Sequence, residues 1–366
     1  MNKKMLIGVI VIIAAGVIGY LLLRKDTSSK EPIKIGGILM LTEEGSDWGL
    51  NSQKGADLAI EDINNGGGIH GRKLEMVYED NLGDDPRTAV SAFFKLFRNR
   101  VRIILGPNWS PSGLALAPLA RERQVLMISP TLGVADFNEE SDYTFNLWPH
   151  DFFLSQELGK LVYKEGHRKI AVFGSQQAWE QEQAYAVKRS FESAGGEVVS
   201  FQLPAATAKK FPNEAQEIKT ANPEAVVLTL STDPVGLAAK QLWEADVRVP
   251  FYVVLPNRQA ILDAEGALEK AVGLTSFTPS QEFTARFVQK YKKNPDIGSD
   301  TSYDAIMLLA KAMRETGSTA PVVLKDYLSA MKIYGGVSGS LTFDGKGGVT
   351  KPFKAVVVKN NALAPR

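Results

Sequence analysis

The sequence predicts an α/β protein of two doubly wound lobes, and three observations carry that prediction. From residue 33 onward, short apolar runs rich in β-formers alternate with helix-length segments. These runs are continuously apolar rather than alternating, as in strands of a parallel sheet covered on both faces. The series then occurs a second time, beginning near Pro149. A chain of 366 residues has room for two such units.

Residues 33–41 form the first predicted strand, followed by a polar loop, 42–47, and a helical stripe of Leu58, Ile60 and Ile63. That helix runs out at Asn64, Asn65 and three glycines, which tolerate the positive φ of a helix exit. Residues 73–79 are the second strand. Asp85-Pro86 then reads as an N-cap with proline in the first turn. Residues 101–113, V-R-I-I-L-G-P-N-W-S-P-S-G, give a buried strand, a Gly-Pro break and a new helix, with Ser110 read as its cap before Pro111. A helix N-terminus beyond the carboxyl end of a strand suits a carboxylate ligand. A strand at 125–129 closes the first series.

The second series predicts helix 151–165, strand 169–173, helix 179–194 and strands 197–201, 225–230 and 250–255, with helices between. Helices 280–292, 301–316 and 322–330 follow. Residues 340–343 and 353–358, flanking the Gly-rich stretch 344–348, read as a terminal hairpin. The chain is thus expected to divide into 1–30 (anchor or signal plus tether), 31–147 with 275–338 (lobe 1) and 148–274 with 339–366 (lobe 2), joined by a hinge of several crossovers.

Composition removes several classes. Net charge is +1 with no long basic run, unlike a nucleic-acid binder. The absence of cysteine rules out disulfides, thiolate metal sites and a lipid-bearing cysteine. Lys3 and Lys4 precede an apolar run, 5–23, closed by Arg24 and Lys25. Its length is at the short end for a bilayer span and long for a signal-peptide core, and no A-x-A-like site follows it. It reads as an uncleaved N-terminal membrane anchor, and the basic residues at both of its ends leave its orientation open.

Residues 66–71 match G-x-G-x-x-G, but after a helix and before a strand, the wrong polarity for a dinucleotide site. His70, His150 and His167 read as loop or surface residues, and no histidine-based metal centre or triad is expected. The pairs Glu43-Glu44, Asp84-Asp85 and Glu139-Glu140 read as solvated or capping acids. No nucleophile–base constellation marks an enzyme, and no cofactor is implied. Trp48, Trp109 and Trp179 fall at carboxyl ends of strands, where they can wall a crevice between lobes. Trp148 is a fourth loop tryptophan.

Four groups of residues carry a family resemblance. They are G-A-D-L-A-I-E-D-I-N-N-G-G-G-I-H-G-R-K-L-E-M-V-Y-E-D at 55–80 with D-D-P-R-T-A-V at 84–90, I-L-G-P and W-S-P-S at 104–112, M-I-S-P-T at 127–131, and Y-D-A at 303–305. In order and spacing the chain resembles the type I periplasmic binding proteins, specifically the branched-chain amino-acid family that serves ABC transporters. The resemblance implies two lobes closing on a small ligand, with an ABC permease as membrane partner. It implies a carboxylate-binding role for Ser110, backbone contacts at Thr131 and aromatic walls at Trp48 and Trp179, positions commonly tyrosine in the family.

Three positions depart from the pattern. Gly133 replaces a threonine, Ser231 an aromatic residue, and Asn257 the acid that meets the ligand's ammonium. A charge-assisted bond contributes roughly 1.5–3 kcal/mol, so the change at Asn257 opens the ligand class to other small carboxylates or amides. Arg258, beside it, would repel an ammonium if it faced the cleft. The expected function is that of a monomeric extracytoplasmic solute-binding protein of an ABC transporter. The alternative is an accessory sensor for a membrane signalling partner.

Overall fold

The computed structural model describes residues 31–43 and 45–366, and the predicted anchor, 5–23, lies outside them. The first sheet is wholly parallel, with strands β1 (Ile33–Leu39), β2 (Leu74–Asp80), β3 (Ile103–Leu105), β4 (Leu126–Ser129) and β5 (Thr144–Asn146) in the order β2-β1-β3-β4-β5. It alternates with α1 (Ser46–Asn65), α2 (Pro86–Arg98), α3 (Ser110–Arg123) and the short α4 (Asp136–Glu139). Helix α2 shows how sequence sets the local structure. The Asp85 carboxylate accepts the Thr88 N–H at 3.0 Å, Pro86 opens the first turn, and Ala89, Ala92, Phe93 and Leu96 form one buried stripe. Burying Phe93 and Leu96 contributes about 1.5–3 kcal/mol each.

The second sheet has seven strands, β15-β14-β10-β9-β8-β6-β7. Here β6 (Lys169–Phe173), β7 (Glu197–Gln202), β8 (Ala225–Leu228), β9 (Phe251–Val254) and β10 (Val272–Thr275) are parallel. Strand β14 (Lys354–Lys359) joins antiparallel to β10, and β15 (Ala362–Pro365) antiparallel to β14. Helices α5 (Asp151–Lys164), α6 (Ala178–Ser193), α7 (Pro212–Ala221), α8 (Thr232–Glu244) and α9 (Arg258–Asp263) surround it. Three further helices, α10 (Gln281–Tyr291), α11 (Ser299–Thr316) and α12 (Pro321–Ala330), return to the first lobe, where Phe283, Phe287, Ile306, Leu309, Leu324 and Leu328 enter the core beneath β1, β3 and β4. Helix α11 lies so close to α1 that a Cβ on Gly55 would sit 1.9 Å from the Ser299 carbonyl oxygen.

The predicted terminal hairpin is corrected. β12 (Gly339–Phe343) pairs with β11 (Ile333–Gly336) and with β13 (Val349–Thr350), not with β14. Leu341, Phe343 and Val349 bury in the first core, and the Asn146 N–H donates to the Gly347 carbonyl. Residues 339–350 therefore sit with lobe 1 rather than lobe 2, because their apolar side chains find the first lobe's core. The chain crosses between sheets after β5, after β10 and after β13. Among the described residues no helix is long and apolar enough to cross a membrane.

Candidate functional site

Both parallel sheets change winding direction at one point, between β1 and β3 in the first and between β6 and β8 in the second. Loops leaving the carboxyl ends of these strands diverge there and leave a crevice. A cavity of about 380 Å³ lies where the two crevices meet. Lobe 1 supplies Trp48 after β1, Asn108, Trp109 and Ser110 after β3, and Thr131 and Gly133 after β4. Lobe 2 supplies Trp179 and Glu180 after β6, Ser231 after β8 and Asn257 after β9. All eight residues singled out in the sequence, Trp48, Trp109, Ser110, Thr131, Gly133, Trp179, Ser231 and Asn257, thus line one cavity.

Ser110 does not cap its helix. Trp109 holds the cap position with an extended backbone (φ −122°, ψ 165°), and Ser110 is the first residue of α3. The Ser110 side chain makes no hydrogen bond within the described residues, so its hydroxyl is available to a ligand at the helix N-terminus. Trp48 and Trp109 meet edge to face, 5.8 Å between ring centres. Behind them Asn108, fully buried, fixes the wall: its Nδ2 donates to Ser52 Oγ at 2.9 Å and to Thr131 Oγ1 at 3.2 Å, while the Thr131 hydroxyl donates to the Asn108 carbonyl at 2.9 Å. The Thr131 side chain is therefore structural, and its N–H donates to Ser129 Oγ at 3.4 Å.

Asn257 is engaged with its own helix. Asn257 Oδ1 accepts the Ala260 N–H at 3.0 Å and caps α9. Asp151, at the start of α5 and buried, also lines the cavity. Its Oδ1 accepts the indole N–H of Trp148 at 2.7 Å and its Oδ2 that of Trp179 at 2.8 Å. Burial pushes its carboxyl up to about 7, against the pull of the two indole donors. A Cβ on Gly133 would fall 1.8 Å from Asp151 Oδ2, so the glycine and the acid form one arrangement. Glu180, also buried, accepts the Ser231 N–H at 2.7 Å.

Asp84 is a further acid of the lining, although its sequence position reads as solvated. It accepts from Ser112 N at 3.3 Å and from Asn81 Nδ2 at 3.2 Å, and burial raises it to about 7. Asp151, Glu180 and Asp84 escape sequence reading because each opens a helix or sits in an acidic loop, where acids usually cap or solvate. The one local signal is the Trp148–Asp151 spacing, which sets an indole N–H against the carboxylate.

Arg258 does not face this cavity. It lines a separate crevice of about 890 Å³ with Asp47, Lys54, Lys292 and Asp296, on the far side of Trp48 and Asn257. His150 is buried rather than superficial, with Nε2 2.9 Å from Asn138 Oδ1. Residues 66–71 link α1 to β2, far from any strand-to-helix phosphate loop. Among the described residues no cluster of histidines and acids is placed to hold a metal.

Known proteins show the same organisation. The profile of the periplasmic binding protein family matches residues 32–362. A leucine-, isoleucine-, valine-, threonine- and alanine-binding protein of Pseudomonas aeruginosa is 26% identical over 329 residues, covering 87% of each chain. A leucine binding protein of Thermotoga maritima superposes with a TM-score of 0.85 at 22% identity, over 91% of this chain and 97% of that one. A solute binding protein of R. palustris, solved with 4-hydroxybenzoate, superposes at 0.83 with 20% identity, over 92% and 96%. Those structures share the type I fold with two lobes about a cleft. The chain belongs to the periplasmic binding protein family.

Proposed function

We propose that the protein captures an amino acid or a related small carboxylate or amide between its lobes, outside the cytoplasm, and delivers it to an ABC permease. One observation carries this reading: a single cavity takes its walls from the strand ends of both lobes, which three crossovers connect. A ligand touching both walls favours the closed arrangement by its differential affinity. Ser110 receives the ligand's carboxylate at the start of α3, the indoles wall its body, and Asp151 supplies the negative charge that Asn257 lacks. The names of the relatives, which bind amino acids or hydroxybenzoate, fit a ligand of this size and charge. The basic-flanked apolar run at 5–23 supports tethering of the binding domain to the membrane.

Calorimetry of residues 30–366 with leucine, isoleucine, valine and 4-hydroxybenzoate tests the solute class. Small-angle scattering with and without ligand tests closure, with a smaller radius of gyration expected on binding. A protein that binds with no compaction contradicts the hinge mechanism. Co-purification of the full-length protein with a permease supports delivery, whereas co-purification with a signalling kinase instead supports a sensor.

A further inference from the structure

The cavity combines aromatic faces with acids. Trp48, Trp109 and Trp179 line it, and each is half-buried, whereas Trp148 behind them is completely buried. Its charged lining comprises three carboxyl groups, Asp84, Asp151 and Glu180, and one lysine, Lys209, which is exposed on the loop after β7.

Part of the acceptor capacity around it is taken up by the protein's own N–H groups, while Glu180 Oε2 and the second lone pairs of Asp151 remain. Asp151 takes an indole N–H on each oxygen, Glu180 Oε1 takes Ser231 N, Asn257 Oδ1 takes Ala260 N, and Asp84 takes Ser112 and Asn81. A primary ammonium needs three acceptors, and leaving its N–H groups unmatched in a buried site costs about 1–3 kcal/mol. A quaternary ammonium has no N–H and needs no acceptors. It needs negative charge and aromatic faces. Asp151 also matches such a cation in its own bonding: both its partners are donors, so a proton on it would meet no acceptor, while a fixed positive charge nearby balances the buried carboxylate.

We infer that the preferred solute is a quaternary ammonium compound of the betaine type, its carboxylate at Ser110 and its quaternary nitrogen among Trp48, Trp109, Trp179 and Asp151. This rests on the reading of the cavity as the solute site. The three indoles supply π faces, and the N–H that Trp179 donates to Asp151 makes that ring richer in electrons. The short apolar wall of Leu230, Pro234 and Val254 leaves room for the body of a small ligand.

The test titrates the full-length protein, purified in detergent, with glycine betaine, proline betaine and choline, with choline's neutral isostere 3,3-dimethyl-1-butanol, and with leucine, valine and benzoate. Binding is followed by calorimetry and by tryptophan fluorescence. Betaines are expected to bind at least about tenfold more tightly than leucine, with the neutral isostere inactive. Replacing Trp48 by Phe is expected to weaken betaine binding a few-fold and by Leu about tenfold or more, the graded response of a cation over a ring. Asp151→Asn, which keeps an acceptor for one indole, is expected to lower betaine affinity about tenfold or more. Should that variant fail to fold, the Trp48 series still decides. Binding of leucine, valine or benzoate without binding of any betaine overturns the alkylammonium assignment and leaves solute binding intact. Equal binding of choline and its neutral isostere also overturns it. If no compound binds, the assignment and the solute-site reading both fall.

Discussion

Gly133 and Asp151 exclude any side chain at position 133: the glycine's carbonyl accepts the Asp151 N–H at 2.8 Å, and a Cβ on the glycine would overlap Asp151 Oδ2 at 1.8 Å. A threonine side chain at position 133 would collide with that carboxyl group. The two positions thus act as a unit that sets a carboxyl group at the cavity wall.

Gly133→Ala is expected to destabilise the protein by about 1–3 kcal/mol, since the added methyl must displace a buried carboxylate. Thermal unfolding measures the loss. Asp151→Ala in the same chain is expected to recover part of it, as for two residues in contact whose effects do not add. Strict additivity of the two substitutions would contradict the contact.

Ser110→Ala is expected to leave the melting temperature of the ligand-free protein unchanged, because the hydroxyl has no internal partner. It should weaken binding of a carboxylate ligand about tenfold, in line with a lost hydrogen bond to a charged group. Calorimetry reads the affinity. Unaltered affinity would place the ligand's carboxylate elsewhere.

Asp62 joins three helices of lobe 1. Arg286 Nη2, on α10, donates to Asp62 Oδ1 and Oδ2 at 2.5 and 2.7 Å, and the Tyr303 hydroxyl, on α11, donates to Oδ2 at 2.7 Å. The pair is partly exposed, so solvent weakens it. Asp62→Ala is expected to cost about 1–2 kcal/mol in denaturant unfolding while ligand affinity is retained.

The ligand-free protein is expected to lose stability as pH rises from about 5 to about 8. Burial raises Asp84, Asp151, Glu182 and Asp300 each to about 7, above their values in the unfolded chain. Their contribution is complete below the unfolded carboxyl range and disappears as pH passes through about 7. Asp80, Asp85, Glu165 and Glu224 are held low by hydrogen bonds and act in the opposite sense, losing their contribution only under acid conditions. Melting temperatures across this range check the sign. Asp151→Asn should flatten part of the fall.

The sequence by itself determined the two α/β series, the fold class and the strand ends that carry the site. Apolar runs, helix stripes and Asx-Pro or Ser-Pro starts are local signals, and the loops after β1, β3, β6 and β8 follow from them. Tertiary structure alone decided which acids line the cavity and which residues share a lobe. Asp151 becomes a cavity residue because Gly133, distant in sequence and adjacent in space, makes room for it. Residues 339–350 belong to lobe 1 because Leu341, Phe343 and Val349 find their apolar neighbours there, and β14 is left to pair with β10 in the other sheet. The burial of Asp151 and its bond to Trp179 arise from non-local contacts, which no pattern along the chain encodes, whereas its bond to Trp148 is local.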